Sequence, residues 1–135
     1  MSKKAFMKAV REICGISQSD LANEADVSTR TIKLWEQPDK PEPPEDVIEW
    51  LKQALIEHDN AVNELVSNVI SNTPPNGTVV LRWYKDQAQR DYEGGADVPY
   101  TFSNAITRSA AEQLGRLGYK VMFAFPDEEL RAKEF

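Results

Sequence analysis

The stretch 17-SQSDLANEADVSTRTIKLWE-36 decides how the first third of the chain folds. Ser17 can cap a helix with Asp20 three residues on, and Leu21 and Ala22 follow on the side that turns inward. The helix is brief. After Ala25, Asp26 and Val27 a second one opens at Ser28, again a plausible cap, and runs through Thr31, Ile32 and Trp35. Two short helices joined by three or four residues form the unit that sets its second helix into the major groove of DNA. Each apolar position has a packing reason: Ala22 is small enough to let the helices approach, Val27 closes the turn, and Ile32 and Trp35 anchor the second helix on the body. What remains outward is Thr29, Arg30 and Lys33, with Ser28 at the helix start. Arginine and lysine donate to guanine O6 and N7, and serine and threonine reach base edges or phosphates, so these four residues form a reading surface.

Upstream, AFMKAVREI puts Phe6, Val10 and Ile13 on one helical face beside Met7, and Gly15 provides the break. Downstream, residues 37–44 hold four prolines in eight positions and cannot continue a helix. From Glu45 the pattern becomes one long helix reaching Ser71, with Pro44 at its start and Glu45, Asp46 and Glu49 in or near its first turn, where the helix dipole favours acid. Ile48, Leu55, Val62 and Val69 recur every seven residues, with Leu51, His58 and Leu65 between them, which draws a stripe that needs a partner. Glu57, Asp59 and Glu64 lie off it. Asn72 to Gly77 is a turn-rich joint. Thr78 to Tyr84 alternates as a strand, and Lys85 to Tyr92 is a short helix or turn before the glycine pair Gly94-Gly95. A helix starting near Thr101 or Ser103 carries Phe102, Ile106, Ala110, Leu114 and Leu117 to Gly118. Tyr119 to Phe125 is a second strand with Tyr119, Val121, Phe123 and Phe125 on one face, stopped by Pro126, and the tail from Asp127 has no pattern.

At residues 17–36 the sequence resembles the phage-repressor-like helix-turn-helix regulators, the Cro and xenobiotic-response-element group. Their motif reads roughly Ser/Thr-Gln-x-x-Leu-Ala, a turn, then Val-Ser-x-x-Thr-Ile-x-x-Trp-Glu. With flanking helices the match covers about half the chain. The resemblance implies a lambda-repressor-like, five-helix DNA-binding head over residues 1–71, in which the long helix supplies the fourth and fifth members. It further implies that Gln18 touches the DNA backbone, that Ser28, Thr29, Arg30 and Lys33 are the recognition contacts, and that Lys40 adds a backbone contact. Where the family commonly has glycine in the turn this chain has Asp26, a residue that tolerates the left-handed conformation. The head, the proline-led helix and a strand opening with LRWY together resemble the anti-CRISPR-associated autorepressors. In that subgroup the C-terminal half dimerises, the proteins repress their own operons at inverted repeats, and some bind RNA. The resemblance thus implies an α+β chain whose residues 72–135 form a small dimerisation domain.

Composition sets the limits. The 135 residues carry 16 basic and 22 acidic side chains, a net charge of -6. Residues 1–44 hold seven of each sign, 45–72 hold one basic and six acidic, and 73–135 hold eight and nine, so a DNA-binding head must face the duplex with the middle segment pointing away. The single cysteine, Cys14, excludes an internal disulfide and fits a small core residue, while the single histidine, His58, leaves no imidazole pair for a metal. Glu42, Glu45, Asp46 and Glu49 read as solvated helix-start charge. No catalytic constellation, phosphate loop, cofactor motif or apolar leader is present, which points to a cytoplasmic, non-enzymatic protein. The expected function is a homodimeric repressor on double-stranded DNA. The alternatives are an antitoxin or adaptor whose acidic helix binds a basic protein, and an RNA-binding regulator using Arg82, Tyr84, Lys85 and Arg90 beside Trp83 and Tyr92.

Overall fold

The computed structural model describes residues 2–94 and 98–128 and shows a helix-rich α+β chain with one small sheet. It divides into two units, Met1–His58 and Asp59–Phe135, a division that falls inside a long helix where the sequence put the joint at Asn72 to Gly77. Gly95, the second member of the glycine pair, and the tail from Glu129 onward lie outside the described residues.

The first unit opens with α1 (Lys3–Cys14), capped by Ser2, whose Oγ accepts the Ala5 N–H at 3.1 Å. Its buried line is Met7, Val10 and Cys14; Phe6 is half-buried and Ile13 is 49% exposed, so the core face is rotated by about one residue from the expected Phe6–Val10–Ile13 stripe. Gly15 ends the helix at φ 67°, and the Ile16 N–H returns to the Arg11 carbonyl at 2.9 Å, which drives Ile16 into the core. Next come α2 (Gln18–Ala25) and α3 (Thr29–Trp35), and then α4 (Glu45–Asn72), whose first half belongs to this unit. Residues 45–72 are one continuous helix, so the described N-terminal helices number four where the family resemblance implied five; apolar spacing persists through the segment and nothing in it breaks a helix. Leu21, Ile32, Ile48 and Leu51 are at most 1% exposed, and each such side chain contributes roughly 1.5–3 kcal/mol of burial.

The expected heptad stripe on α4 is corrected in detail. The buried line is Leu51, Ala54, His58, Val62 and Val66, with Leu55, Leu65 and Val69 half-buried beside it. With Ile48, also buried, ahead of it, that line keeps the 3.6-residue period of an α-helix and not the 3.5-residue period of a seven-residue repeat. Glu57, Asp59 and Glu64 are exposed, as their place off the stripe implies.

In the second unit Val62 and Val66 pack with Val79, Leu81, Ala110 and Leu114. That stretch of α4 therefore finds its apolar partner in its own chain. β1 (Thr78–Arg82) and β2 (Lys120–Ala124) pair in parallel, Thr78 opposite Lys120 through Arg82 opposite Ala124. Between them run α5 (Gln87–Tyr92), capped by Asp86, and α6 (Tyr100–Arg116). α6 starts earlier than expected because Pro99, at φ -59°, caps it and accepts the Phe102 and Ser103 N–H groups. Leu117, expected inward, is 56% exposed beyond the last turn. Gly118, at φ 95°, returns the chain to β2 where a Cβ would lie 2.7 Å from Asn76 Oδ1. A short 3-10 turn, Pro126–Glu128, follows β2.

Candidate nucleic-acid interface

The α2–α3 pair is held by its own backbone chemistry. Ser17 Oγ accepts the Asp20 N–H at 2.9 Å and the Asp20 carboxylate accepts the Ser17 N–H at 3.1 Å, a reciprocal cap that fixes where α2 begins. Asp26 then adopts φ 55° and ψ 46°, the left-handed geometry that closes α2, and the Val27 N–H reaches back to the Ala22 carbonyl at 3.0 Å. Aspartate thus serves where the resembled family has glycine. Ser28 Oγ accepts the Thr31 N–H at 3.2 Å and starts α3 three residues after α2 ends. Leu21, Ala22 and Ile32 are buried, while Val27 and Trp35 are half-buried.

Arg30 and Lys33 are exposed and lie three residues apart on α3, with Thr29 half-buried beside them. Among the described residues none of these three side chains has a hydrogen-bond or ion-pair partner. Ser28 differs: its hydroxyl caps α3 and shares a 3.0 Å bond with Thr31 Oγ1, so its oxygen already has a structural use.

Gln18 is half-buried and directs Nε2 to Glu36 Oε2 at 3.5 Å. The same carboxylate takes Arg11 Nε at 2.7 Å and a second Arg11 nitrogen at 3.2 Å, with the two charged side chains only 12% and 8% exposed. Arg11 also donates to the Ile16 carbonyl at 3.3 Å. The start of α2 and the end of α3 are therefore tied to α1 through one forked ion pair. Sequence reading missed this pair because the partners are 25 residues apart and no helical spacing relates them. It also missed Lys4, whose ammonium donates to the Trp35 carbonyl at 2.9 Å and the Pro41 carbonyl at 2.8 Å, closing the end of α3 and pinning the proline segment. Lys40 lies exposed in that segment, with its N–H on the Gln37 carbonyl at 3.2 Å. Lys3 joins Glu45 at 2.9 Å, and the hydrogen bond and charge of the ammonium hold the Glu45 carboxyl below its ordinary range.

The aromatic and basic group in the second unit is arranged differently. Arg82 is paired with Glu93, while Arg90 donates to Ser103 Oγ at 3.0 Å and the Gly94 carbonyl at 2.7 Å and lies 5.5 Å from the Tyr84 ring centre. Arg108 stacks 5.6 Å from the Trp83 ring, which meets Phe123 edge-on. Lys85 and Tyr92 are exposed. Among the described residues no cluster of three His, Cys, Asp or Glu side chains could hold a metal, and no helix is long and apolar enough to cross a membrane.

No protein-family model matches the chain, and no curated protein matches it.

Proposed function

We propose that the protein is a sequence-specific transcriptional repressor that binds double-stranded DNA through α3. In this reading Arg30 and Lys33 read base edges, Thr29 and the Ser28 end of α3 approach bases or phosphates, and Gln18 and Lys40 meet the backbone. One α3 brings few cations and little surface, so a homodimer on an inverted repeat supplies the affinity, and repression is steric at the protein's own promoter. The protein is cytoplasmic and performs no catalysis in this reading.

One observation carries the proposal. A capped two-helix unit, braced by Arg11–Glu36 and Lys4, displays two neighbouring exposed cations and a half-buried threonine whose side chains have no hydrogen-bond or ion-pair partner among the described residues. Exposed charge alone is ordinary on a protein surface; charge on one face of a short helix anchored through a fully buried Ile32 is what a groove requires. A basic protein partner is the second reading, favoured by the exposed acids Glu57, Asp59 and Glu64 on α4. RNA binding by the C-terminal aromatics has less support, since Arg82 and Arg90 are engaged within the chain. Binding titrations of wild type and Arg30→Ala on operator and scrambled duplexes at several salt concentrations test the proposal. A base contact predicts a loss of roughly 1–3 kcal/mol confined to the operator. A phosphate contact predicts equal losses on both duplexes and about one unit less salt slope.

A further inference from the structure

The sheet of the second unit ends in an edge with which no described strand pairs. Along a strand, successive residues turn their N–H and C=O groups to alternate sides. The Lys120 N–H bonds to the Gly77 carbonyl and the Ala124 carbonyl accepts the Trp83 N–H, so Lys120, Met122 and Ala124 face β1 while Val121 and Phe123 turn their backbone groups away. Among the described residues no segment pairs with that outer side of β2. β1 differs, because the carbonyl of Arg82 on its outer side accepts Thr107 Oγ1 at 3.2 Å and α6 thereby covers part of that edge. Exposed edges are ordinarily guarded by charge, proline or a bulge. On β2 the guards are only Lys120 before and Pro126 after; Val121 to Phe125 carry none. The core face also runs out past the edge: Leu81 is 4% exposed, yet its register partner Phe123 is 48% exposed and Phe125 is 37% exposed.

We propose that a second copy of this chain covers the edge, the two β2 strands pairing antiparallel about a two-fold axis at Phe123 to make one four-stranded sheet. In that register Phe123 faces its own counterpart, outward N–H meeting outward C=O, and Val121 faces Phe125 of the second copy, whose carbonyl already accepts the Glu128 N–H at 2.8 Å and offers its second lone pair. A slip by one residue would oppose groups already bonded to β1. Charge selects the same orientation. Antiparallel pairing sets Lys120 opposite Pro126 of the second copy, beside its Asp127 and Glu128, whereas parallel pairing sets Lys120 against Lys120. The arrangement closes on itself, which removes the edge without building a fibre. It rests on the homodimer of the proposed function and gives that dimer its surface.

The test is sedimentation of the full chain at micromolar concentration, as wild type, Phe123→Pro and Phe123→Cys. Of the backbone groups, proline at 123 removes only an outward N–H and spares the bonds to β1, while the edge-on contact with Trp83 is lost with the ring. Facing residues in such a hydrogen-bonded pair have Cα atoms about 5.5 Å apart, within disulfide reach. Cys14 is buried and does not compete. Wild type is expected at about twice 15.3 kDa and Phe123→Pro at 15.3 kDa with unchanged circular dichroism. Oxidised Phe123→Cys is expected to give a covalent dimer that Thr78→Cys, on the β1 edge, does not. A monomeric wild type overturns the proposal and leaves the edge to this chain's own residues. So does a folded Phe123→Pro that still dimerises, or a dimer in which Phe123→Cys fails to cross-link; if Phe123→Pro does not fold, the cross-link decides. DNA affinity of wild type, measured in parallel, separates the two readings: a dimer that binds no duplex removes the repressor assignment alone, and a monomer that binds DNA removes this interface and the homodimer it rests on while leaving α3 as the DNA-binding element.

Discussion

The two units differ in how their arginines are used. In the N-terminal unit the apolar side chains of α2 and α3 turn inward and exposed cations remain at Arg30 and Lys33, whereas in the C-terminal unit Arg82, Arg90 and Arg108 are occupied by Glu93, Ser103, Tyr84 and Trp83. Outside, the second unit leaves the apolar side chains Phe123, Phe125 and Leu117 together with the basic residues Lys85, Arg116 and Lys120. Unpaired cations on one short helix suit an anionic partner, and exposed aromatic side chains along a strand suit a protein partner. The acidic total charge of the chain hides this division, because it sums over surfaces with different uses.

The largest expected effects are on folding and fall equally on both units. Ile32→Ala and Leu114→Ala each remove a fully buried side chain and should each lower stability by about 2–5 kcal/mol in urea titrations. An effect below 1 kcal/mol at either site would mean that its core is looser than the burial implies.

Arginine substitutions sharpen the contrast, since the three kinds of arginine should behave differently. Arg11→Ala strands the Glu36 carboxylate in a mostly buried setting and should cost about 3 kcal/mol of stability, with a Met–Met replacement of the pair recovering much of it. Arg90→Ala should cost about 1 kcal/mol and leave DNA affinity unchanged. Arg30→Ala should change stability by less than about 0.5 kcal/mol while weakening operator binding. Thermal melts paired with binding titrations place each variant; an Arg90→Ala protein that lost DNA affinity as Arg30→Ala does would dissolve the distinction between the units.

Cap removal is a smaller perturbation. Ser17→Ala and Ser28→Ala should each cost about 1 kcal/mol, read by chemical denaturation. Ser28→Ala also asks whether the hydroxyl serves the cap or the duplex: a loss of operator affinity beyond the loss of stability would add a DNA contact to its capping role.

The smallest effect concerns pH. The Glu45 carboxyl is held low by Lys3, first through its hydrogen bond and then through its charge. A depressed carboxyl contributes stability above its unfolded value and loses it as pH falls through the folded value. Wild type should therefore lose more stability than Glu45→Gln between neutral and acid pH. Equal losses would show that this exposed pair contributes nothing.

Much of this was legible before any coordinates. Ser17, Asp20, Asp26 and Ser28 are local signals, acting within three or four residues, and sequence spacing reports such bonds directly. The strands were legible through β-branched and aromatic alternation, and Gly15 and Gly118 through the left-handed turns they permit. What escaped was long-range. The face of α1 could have been Phe6–Val10–Ile13 or Met7–Val10–Cys14, and only packing against the rest of its unit chooses. The α4 stripe looked like a seven-residue seam because Ile48, Leu55, Val62 and Val69 fit it, yet the helix buries Ala54 and Val66 instead of Leu55 and Val69. Arg11–Glu36 and the Lys4 clasp join elements whose approach no local pattern encodes. At the candidate site, the exposure of Arg30 and Lys33 followed from helical phase once Ile32 was assigned inward, whereas the half-burial of Thr29 and the leaning of Gln18 toward Glu36 did not.

The measurement that bears most directly on the central claim is the affinity of an Arg30→Ala, Lys33→Ala double variant for duplexes selected by the wild-type protein from genomic DNA. The account predicts a melt indistinguishable from wild type and selective binding lost, with the residual affinity no greater on the operator than on a scrambled duplex. A folded double variant that bound the selected operator as tightly as wild type would contradict it.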